Sequence, residues 1–213
     1  MMDKTRLQLV GGGGHCHSVI ESIERTGIFD IVGISEVPGR KGENILGYSV
    51  NISDDELPLL ANQNLCFLIT IGQIKSFEPR KRLFELLEGL HYNVATVIDP
   101  SAVISKRASI GKGTVVLRNA LINTGVSVGC NCIINTSAIV EHDSTIGNHV
   151  HISTGAIING DCMIGDGCFI GSGAIISNGI TIGPGAVVGA GAVVLKSINH
   201  AGTYLGNPAR LIK

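Results

Sequence analysis

The fold is decided by a six-residue repeat in the second half of the chain. Residues 134–175 divide into consecutive hexads, INTSAI VEHDST IGNHVH ISTGAI INGDCM IGDGCF IGSGAI. Every sixth residue from Ile98 to Val194 is Ile or Val, over seventeen hexads without a slip. Four residues after each comes a second, mostly small register: Ala102, Ala108, Thr114, Ala120, Val126, Cys132, Ala138, Ser144, Val150, Ala156, Cys162, Cys168, Ala174, Ile180, Ala186, Ala192 and Ile198. A period of six fits neither an α-helix nor an ordinary strand, so it indicates a repeat architecture.

The repeat predicts a parallel β-helix with a triangular cross-section over residues 96–199. If each hexad forms one side, three hexads make a coil of about 18 residues, and the repeat gives between five and six coils. Stacked strands lie about 4.8 Å apart, so the prism would be about 27 Å long. The exposed strand edges at the two ends of the prism must be covered by other parts of the chain. We expect residues 1–95 to cap one end and the tail, residues 200–213, to fold back over the other.

Residues 1–95 are predicted to form a Rossmann-like α/β domain. A strand, a glycine loop (Gly11–Gly14), a helix and a second strand follow one another, which makes a βαβ unit. The segment Arg40–Asn44 is polar and is predicted to be mobile. The predicted strands are Leu7–Val10, Ile31–Ile34, Leu65–Ile71 and Val94–Val97, and the predicted helices are His15–Thr26, Asp54–Ala61 and Phe77–Leu90.

Composition argues against several classes of protein. The formal net charge is −1, which offers no basic surface for nucleic acid or an anionic membrane. Gly167–Leu195 carries no charge, but the hexad period runs through it and Pro184 suits a spanning helix poorly, so no membrane segment is expected. The six cysteines form no CxxC pair, and three of them lie in the small register. They predict buried, reduced thiols in a cytoplasmic protein.

One coil carries the candidate catalytic residues. The segment Val140–His151 contains three of the seven histidines and two carboxylates. His142 lies between Glu141 and Asp143. A neighbouring carboxylate fixes the tautomer of an imidazole and increases its basicity, as a general base requires. No cysteine lies beside a plausible base, so direct transfer without a covalent acyl-enzyme is expected.

The coil length places these residues relative to one another. His142 and His151 are nine residues apart, half a coil, so they point away from each other within one chain. They can share a site only if two subunits pack side by side, and a triangular prism suits a cyclic trimer with sites in its grooves. Residues 18 apart stack, so Gly160 lies above His142 and is expected to leave space for a ligand. Asp161 lies above Asp143, either one strand spacing from its carboxylate or turned to solvent.

Four stretches together resemble one enzyme family. They are the hexad repeat, the run Ile134–Asp143 (INTSAIVEHD), the tail Gly206–Arg210 (GNPAR) and the start Val10–His15 (VGGGGH). Essentially the whole chain resembles bacterial sugar acyltransferases with a left-handed β-helix. The closest subfamily contains nucleotide-linked amino-sugar N-acetyltransferases and sialic acid O-acetyltransferases. The resemblance implies the left hand of the helix, a homotrimer with active sites between subunits, and acetyl-CoA as cosubstrate, with no metal.

The resemblance also implies roles for individual residues. His142 is expected to be the base, Asp143 to strengthen it, and Asn135 to orient the acceptor. The residues expected to bind acetyl-CoA are His151, Gly160, Ser172 and Ala190. The residues expected to bind the nucleotide sugar are Gly13, Gly14, His15, Ser35 and Glu36.

The glycine loop agrees with this on chemical grounds, because backbone N–H groups at a helix N-terminus bind phosphate. The last glycine of the dinucleotide fingerprint GxGxxG is missing, which disfavours NAD. Ser35-Glu36 stands where relatives carry a pair of acids, so the nucleotide is left open.

The predicted function is acetyl-CoA-dependent N-acetylation of a nucleotide-linked amino sugar for bacterial surface glycans such as lipopolysaccharide or capsule. The alternative is O-acetylation of sialic acid or a related nonulosonate. Two more distant alternatives stay open. One is a zinc site of the carbonic anhydrase type, suggested by His142, His149 and His151 although their spacing does not resemble that family. The other is a non-catalytic module that binds sugar nucleotides.

Overall fold

The computed structural model describes residues 4–61, 64–74 and 76–212. Its N-terminal part is an α/β sandwich. Its strands are β1 (Thr5–Val10), β2 (Phe29–Glu36), β3 (Asn44–Ile45), β4 (Tyr48–Ser53), β5 (Cys66–Ile69) and β6 (Asn93–Val94), and its helices are α1 (Gly14–Thr26), α2 (Glu78–Gly89) and a 3₁₀-helix, Asp54–Leu60. The sheet order is β3-β4-β2-β1-β5-β6, and β1 pairs in parallel with β2 and β5. The carboxyl ends of β1 and β5 therefore lie at one edge, beside the start of α1.

Two local features differ from the sequence prediction. In the segment Arg40–Asn44, whose mobility stays a prediction, the Arg40 guanidinium bonds the carboxylates of Glu36 and Glu43 at 2.9 and 2.7 Å, and Asn44 begins β3. The antiparallel hairpin β3–β4 was not predicted. The predicted helix at Asp54–Ala61 is a 3₁₀-helix that contains Pro58, whose missing N–H cannot support α-helical bonding.

The C-terminal part is a parallel β-helix built from two- and three-residue strands. They are β7 (Val97–Ile98), β8 (Val103–Ile104), β9 (Ser109–Ile110), β10 (Val115–Val116), β11 (Leu121–Ile122), β12 (Ser127–Val128), β13 (Ile133–Ile134), β14 (Ile139–Val140), β15 (Thr145–Ile146), β16 (His151–Ile152), β17 (Ile157–Ile158), β18 (Met163–Ile164), β19 (Phe169–Ile170), β20 (Ile175–Ile176), β21 (Thr181–Ile182), β22 (Ala186–Val188) and β23 (Val193–Val194). Every third strand pairs in parallel, so Val115 faces Ile133 and Ile133 faces His151, 18 residues on. This confirms the predicted coil. The segment Val94–Val97, predicted as one strand, is divided between β6 and β7.

The strands form three flat faces. The first face contains β7, β10, β13, β16, β19 and β22, the second runs from β8 to β23, and the third from β9 to β21. We call the turns between the first and second faces the first edge, and those between the second and third faces the second edge. The two predicted inward registers form one continuous core from Val116 to Ile198.

The N-terminal domain packs against the side of the prism, along its first face, and not only against the first coil. Val97, Val115 and Leu117 pack in one cluster with Val19 and Ile20 of α1. The expectation that residues 1–95 cap the end of the prism was therefore incomplete. The first coil stays partly open, and Ile98, the first residue of the aliphatic register, is 38% exposed. The physical reason is that the outward positions of the first face are themselves apolar, so the domain gains more burial there.

The turns reveal a third register, three residues after each Ile or Val. From Gly113 to Gly191 every sixth residue has a positive φ, and the non-glycine members are Asn119, Asn131, Ser137, Asp143, His149 and Asp161. Gly, Asn and Asp tolerate this left-handed conformation best, which explains why these residue types fill the corners.

The C-terminal tail folds back as predicted. Strand β24 (Gly202–Leu205) adds to β22 in parallel, and β25 (Arg210–Leu211) pairs antiparallel with β24. Tyr204 and Ala209 pack against the core at this end. All six cysteines are free. Within the described ranges, no helix has both the length and the apolar character needed to cross a membrane.

Candidate active site

His142 and Asp143 lie on the second edge, in the turn between β14 and β15. The His142 Nδ1 atom is 2.9 Å from the Asp143 Oδ2 atom, and the two side chains are 52% and 65% exposed. Asp143 has a φ of 60°, which turns its carboxylate back onto the preceding imidazole. Because a carboxylate only accepts, Nδ1 carries a proton, so the lone pair of the neutral ring is on Nε2. The pair can therefore remove a proton from a group that approaches Nε2.

Gly160 stacks on His142 as the coil length predicted, but its role differs from the expectation. A Cβ atom at Gly160 would lie 2.5 Å from His142 Nε2. The space above the turn is thus filled by the imidazole itself and is not free for a ligand. The Asp143 carboxylate lies on the opposite side, toward Gly125 on the preceding coil. A Cβ atom at Gly125 would be 2.4 Å from its Oδ1 atom. Asp161 is exposed, so of the two arrangements left open it adopts the one turned to solvent.

A groove of about 720 Å³ runs along the first edge, between the β-helix and the N-terminal domain. The predicted residues that line it are His15, Asn135, His151, Ser172 and Ala190. Residues from α1, from the chain after β5 and from four stacked turns therefore meet in one concavity.

His151 is the buried polar centre of this groove, with 5% exposure. Its Nδ1 atom is 2.6 Å from the Gln73 carbonyl oxygen, and its Nε2 atom is 3.0 Å from Asn135 Nδ2. The Asn135 Oδ1 atom accepts the Thr136 N–H at 2.8 Å, which orients the amide with Nδ2 toward the ring. His151 is therefore neutral, with its proton on Nδ1. Burial lowers its pKa to about 4, which agrees with this state.

His15 lies in the first turn of α1, with its ring centroid 6.4 Å from that of His151. Burial, and then the nearby Arg80 and His151, lower its pKa to about 3, so it is neutral. Gly13 is the N-cap of α1 and makes no side-chain cap, and no acidic residue lies in the first turn. Gly13 and Gly14 are exposed. The exposed backbone at Gly13 and Gly14 is therefore available to bind an anion at the helix N-terminus.

Ser35 and Glu36, at the end of β2, are placed differently from a free binding pair. The Ser35 side chain is buried and its hydroxyl donates to Asp54 Oδ1 at 2.9 Å. The Glu36 carboxylate accepts the Gly12 N–H at 2.8 Å and the Val37 N–H at 2.9 Å, besides its ion pair with Arg40. In this arrangement the two residues shape the glycine loop, and their contact with a nucleotide stays a prediction.

The comparisons with known proteins agree on one family. The family model of the PglD N-terminal domain matches residues 6–87, and that of the bacterial transferase hexapeptide (six repeats) matches residues 161–196. No curated protein matches the chain. The acetyltransferase domain of PglB from Neisseria gonorrhoeae is 30% identical over 98% of this chain and 100% of that one, with a TM-score of 0.89.

PerB from Caulobacter crescentus, in complex with CoA and GDP-perosamine, is 30% identical over 100% of this chain and 99% of its own, with a TM-score of 0.91. WeeI from Acinetobacter baumannii is 27% identical over 98% of this chain and 100% of its own, with a TM-score of 0.81. The chain belongs to the hexapeptide-repeat sugar acetyltransferases. The predicted family and fold, a Rossmann-like domain followed by a left-handed β-helix, are thereby confirmed.

In this sugar acetyltransferase, several groove residues were not predicted from the sequence. They include Gln73, Ser153, Thr154 and Phe169. Ser153 and Thr154 could have been found from the coil length, because they stack between Asn135 and Ser172 on the first edge; the Ser153 and Ser172 hydroxyls are 3.0 Å apart. Gln73 carries no sequence signal, since only tertiary packing brings it to the groove.

The structure divides the predicted site residues into three groups. His142, Asp143 and Gly160 lie on the second edge, and His15, Asn135, His151, Ser172 and Ala190 line the groove on the first edge. Gly13, Gly14, Ser35 and Glu36 lie at the start of α1 and the end of β2, outside the lining of the groove. No group of three potential metal ligands occurs among residues 4–61, 64–74 and 76–212 of this acetyltransferase.

Proposed function

We propose that this acetyl-CoA-dependent sugar acetyltransferase transfers the acetyl group of acetyl-CoA to the amine of a nucleotide-linked amino sugar, with His142 as general base. The observation that carries the proposal is the His142–Asp143 pair: one ring nitrogen is held by a carboxylate at 2.9 Å and the other is open. In the relatives, PglB is solved with acetyl-CoA, and PerB with CoA and GDP-perosamine.

The uncapped N-terminus of α1 supports a nucleotide sugar as acceptor. Gly13 and Gly14 present backbone N–H groups at the positive end of the helix dipole, where a diphosphate is favoured. His15, next in sequence, is a neutral donor or acceptor on the wall of the groove. A free sialic acid has no diphosphate for this site, which is why we prefer the nucleotide-linked amino sugar. The role in surface glycan synthesis stays a prediction.

We assign the groove on the first edge to acetyl-CoA. Ser172 and Ala190 are one coil apart on this edge, so they suit an extended arm that runs parallel to the prism axis. His151 lies at the base of the same wall, and its fixed tautomer gives the site a defined polar surface. Gly160 does not line this groove, so its predicted contact with acetyl-CoA would come from the second edge of a neighbouring subunit, through its backbone.

A trimer would bring the two edges together. The outward positions of the second face form an aliphatic stripe: Val103, Leu121, Ile139, Ile157, Ile175 and Val193. Val103 is 63% exposed in the single chain. A stacked apolar stripe of this kind favours burial against a partner. If the second face turns toward a three-fold axis, the first edge of one subunit adjoins the second edge of the next, and His142 faces a neighbour's groove.

The proposed reaction is direct transfer. The acceptor nitrogen attacks the thioester carbonyl carbon while His142 Nε2 takes a proton from that nitrogen. Asp143 holds Nδ1–H and stabilises the imidazolium that forms. The tetrahedral intermediate then collapses, the carbon–sulfur bond breaks, and the imidazolium returns its proton to the CoA thiolate.

A thiol-release assay tests the proposal. The enzyme is given acetyl-CoA and, one at a time, amino sugars linked to GDP, UDP or dTDP, the corresponding hydroxy sugars, and sialic acid. We expect thiol release that requires the amino group and the nucleotide. Release with sialic acid, or with the hydroxy sugar at the same rate, would contradict the amine assignment.

A further inference from the structure

We propose that Arg80 and Gln73 act together as a clasp that positions the His151 imidazole from the N-terminal domain. The clasp consists of these two side chains and the backbone between Ile69 and Gln73. Its value for the reaction rests on the proposed role of His151 in the acetyl-CoA groove.

Arg80 is the most unusual buried group in the described chain. It lies in the first turn of α2 and is fully buried. Within the part of the chain that the structure describes, no carboxylate lies at ion-pair distance from its guanidinium. Burial lowers its pKa to about 10, which leaves it charged at neutral pH. A buried, unpaired cation is costly, so its hydrogen bonds have to offset a large loss of hydration.

The partners of Arg80 are backbone carbonyls on both domains. Nη1 donates to the Ile69 and Ile71 oxygens at 2.7 and 2.9 Å. Nε donates to the Asn131 oxygen of the β-helix at 3.2 Å. The Asn131 amide in turn donates to the Arg80 carbonyl at 3.2 Å. The guanidinium therefore fixes the chain leaving β5 relative to the first face of the prism.

Gln73 is held by the prism and holds His151. Its Nε2 atom donates to the carbonyl oxygens of His149 at 2.8 Å and Cys168 at 3.4 Å, which lie on successive coils. Its own carbonyl oxygen accepts the His151 Nδ1–H at 2.6 Å. That bond selects the tautomer and, with Asn135, the ring orientation.

The contacts form a continuous connection from α2 to the groove. Arg80 holds the backbone at Ile69 and Ile71, Gln73 follows two residues later, and His151 bonds to Gln73. A series of hydrogen bonds that served only to hold the two domains together would not need to include an imidazole in a ligand groove. The clasp therefore predicts that its loss changes the state of His151 and acetyl-CoA binding before it changes the proton transfer at His142.

The test compares Gln73→Ala and Arg80→Lys with Arg82→Lys, an exposed arginine on the same helix. Gln73→Ala should raise the KM for acetyl-CoA about tenfold and leave kcat within about threefold, as the loss of about one hydrogen bond predicts. Arg80→Lys should change KM in the same direction, because a lysine cannot hold several carbonyls in a planar fork. Arg82→Lys should match the wild type. If Arg80→Lys fails to fold, Gln73→Ala alone carries the test.

Two further measurements separate positioning from general structure. NMR of ring-labelled histidine should show His151 in one tautomer, with its proton on Nδ1, and Gln73→Ala should move its ring nitrogen shifts toward an average of both tautomers. In a His151→Ala background, Gln73→Ala should change the KM by less than about twofold, since the two residues act through one contact. Unchanged shifts, or effects that multiply in the double variant, would overturn the clasp.

The same experiment distinguishes a failure of the clasp from a failure of the proposed function. If His151→Ala alone leaves the KM for acetyl-CoA unchanged, the assignment of His151 to that ligand is wrong, and the NMR shifts still decide whether Gln73 and Arg80 position the ring.

Discussion

His142 and His151 are nine residues apart on the same coil, and the molecule treats them in opposite ways. His142 is 52% exposed and its Nδ1 atom bonds the Asp143 carboxylate. His151 is 5% exposed, and both of its ring nitrogens have partners, the Gln73 carbonyl and the Asn135 amide. One imidazole therefore has a free lone pair and an anion that stabilises its protonated form. The other is locked in a neutral state.

The difference teaches that position on the prism decides what a histidine can do. A turn residue on the second edge projects from the prism, whereas an outward strand residue on the first face is covered by the N-terminal domain. Proton transfer needs the open lone pair, and a binding surface needs a fixed ring. The following predictions examine this division of roles.

The largest expected effect comes from removing each ring in turn. His142→Ala should lower kcat about a hundredfold to ten-thousandfold, the usual contribution of a positioned base. It should leave acetyl-CoA binding, measured by calorimetry, close to the wild type. His151→Ala should instead raise the KM for acetyl-CoA more than it lowers kcat.

One observation in a relative and two possible outcomes bear on this experiment. Caulobacter enzyme variants with a histidine replaced by Asn or Ala are solved with CoA and GDP-perosamine bound. If His142→Ala kept kcat within threefold of the wild type, the assignment of the base would be wrong. If both variants changed kcat and KM alike, the contrast between the two histidines would disappear.

A smaller effect is expected when the ring of His142 is displaced but retained. Gly160→Ala would place a Cβ atom 2.5 Å from His142 Nε2, and the imidazole, at the end of a flexible side chain, can turn away. We expect kcat to fall about tenfold to a hundredfold, because a displaced ring loses about as much transition-state stabilisation as the removal of one or two hydrogen bonds would cost. The melting temperature should change little.

Gly89→Ala is the matched control for this substitution, because a Cβ at Gly89 meets no atom within 4 Å outside the backbone of its own helix. It should leave kcat unchanged and should not lower the melting temperature, since alanine favours a helix more than glycine does. A Gly160→Ala enzyme with full activity would mean that the observed ring position is not the reactive one.

The hexad repeat predicted the β-helix because its signal is local and repeated many times. The same arithmetic placed Gly160 against His142, since residues one coil apart must stack. It could not show that the imidazole fills that space, because a side chain's rotamer depends on Asp143 and on the left-handed turn. That turn had its own sequence signal, the Gly, Asn or Asp found three residues after most of the repeated Ile and Val residues, which the prediction did not use.

The groove could be predicted only in part. Asn135, Ser172 and Ala190 were expected from the family resemblance, and the coil length adds that Ser172 and Ala190 stack. Gln73 has no such signal, because it reaches His151 through tertiary packing across 78 residues. The hairpin β3–β4 was missed for a related reason, because its two-residue strand β3 is too short to produce an apolar pattern. Long-range contacts of this kind leave no periodic trace in a sequence.

The smallest expected effect concerns the contribution of His151 to the pH dependence of the free energy of unfolding. Burial lowers the folded-state pKa of His151 from 6.5 to about 4. Above pH 6.5 both folded and unfolded chains hold the ring neutral, so its contribution to stability is fully present. As the pH falls from 6.5 toward 4, the unfolded chain binds a proton that the folded chain does not. The free energy of unfolding should then fall by about 1.4 kcal/mol per pH unit for this group.

Urea unfolding at pH 6 and pH 5, at one protein concentration, measures this slope. His151→Asn should reduce the slope relative to the wild type, because the group that titrates only in the unfolded chain is gone. His17→Asn, on the exposed side of α1, is the control substitution and is measured at the same two pH values. If His151→Asn kept the full wild-type slope, burial would not keep protons from the His151 ring. The contrast between a locked ring in the groove and an open ring at the edge would then have to be abandoned.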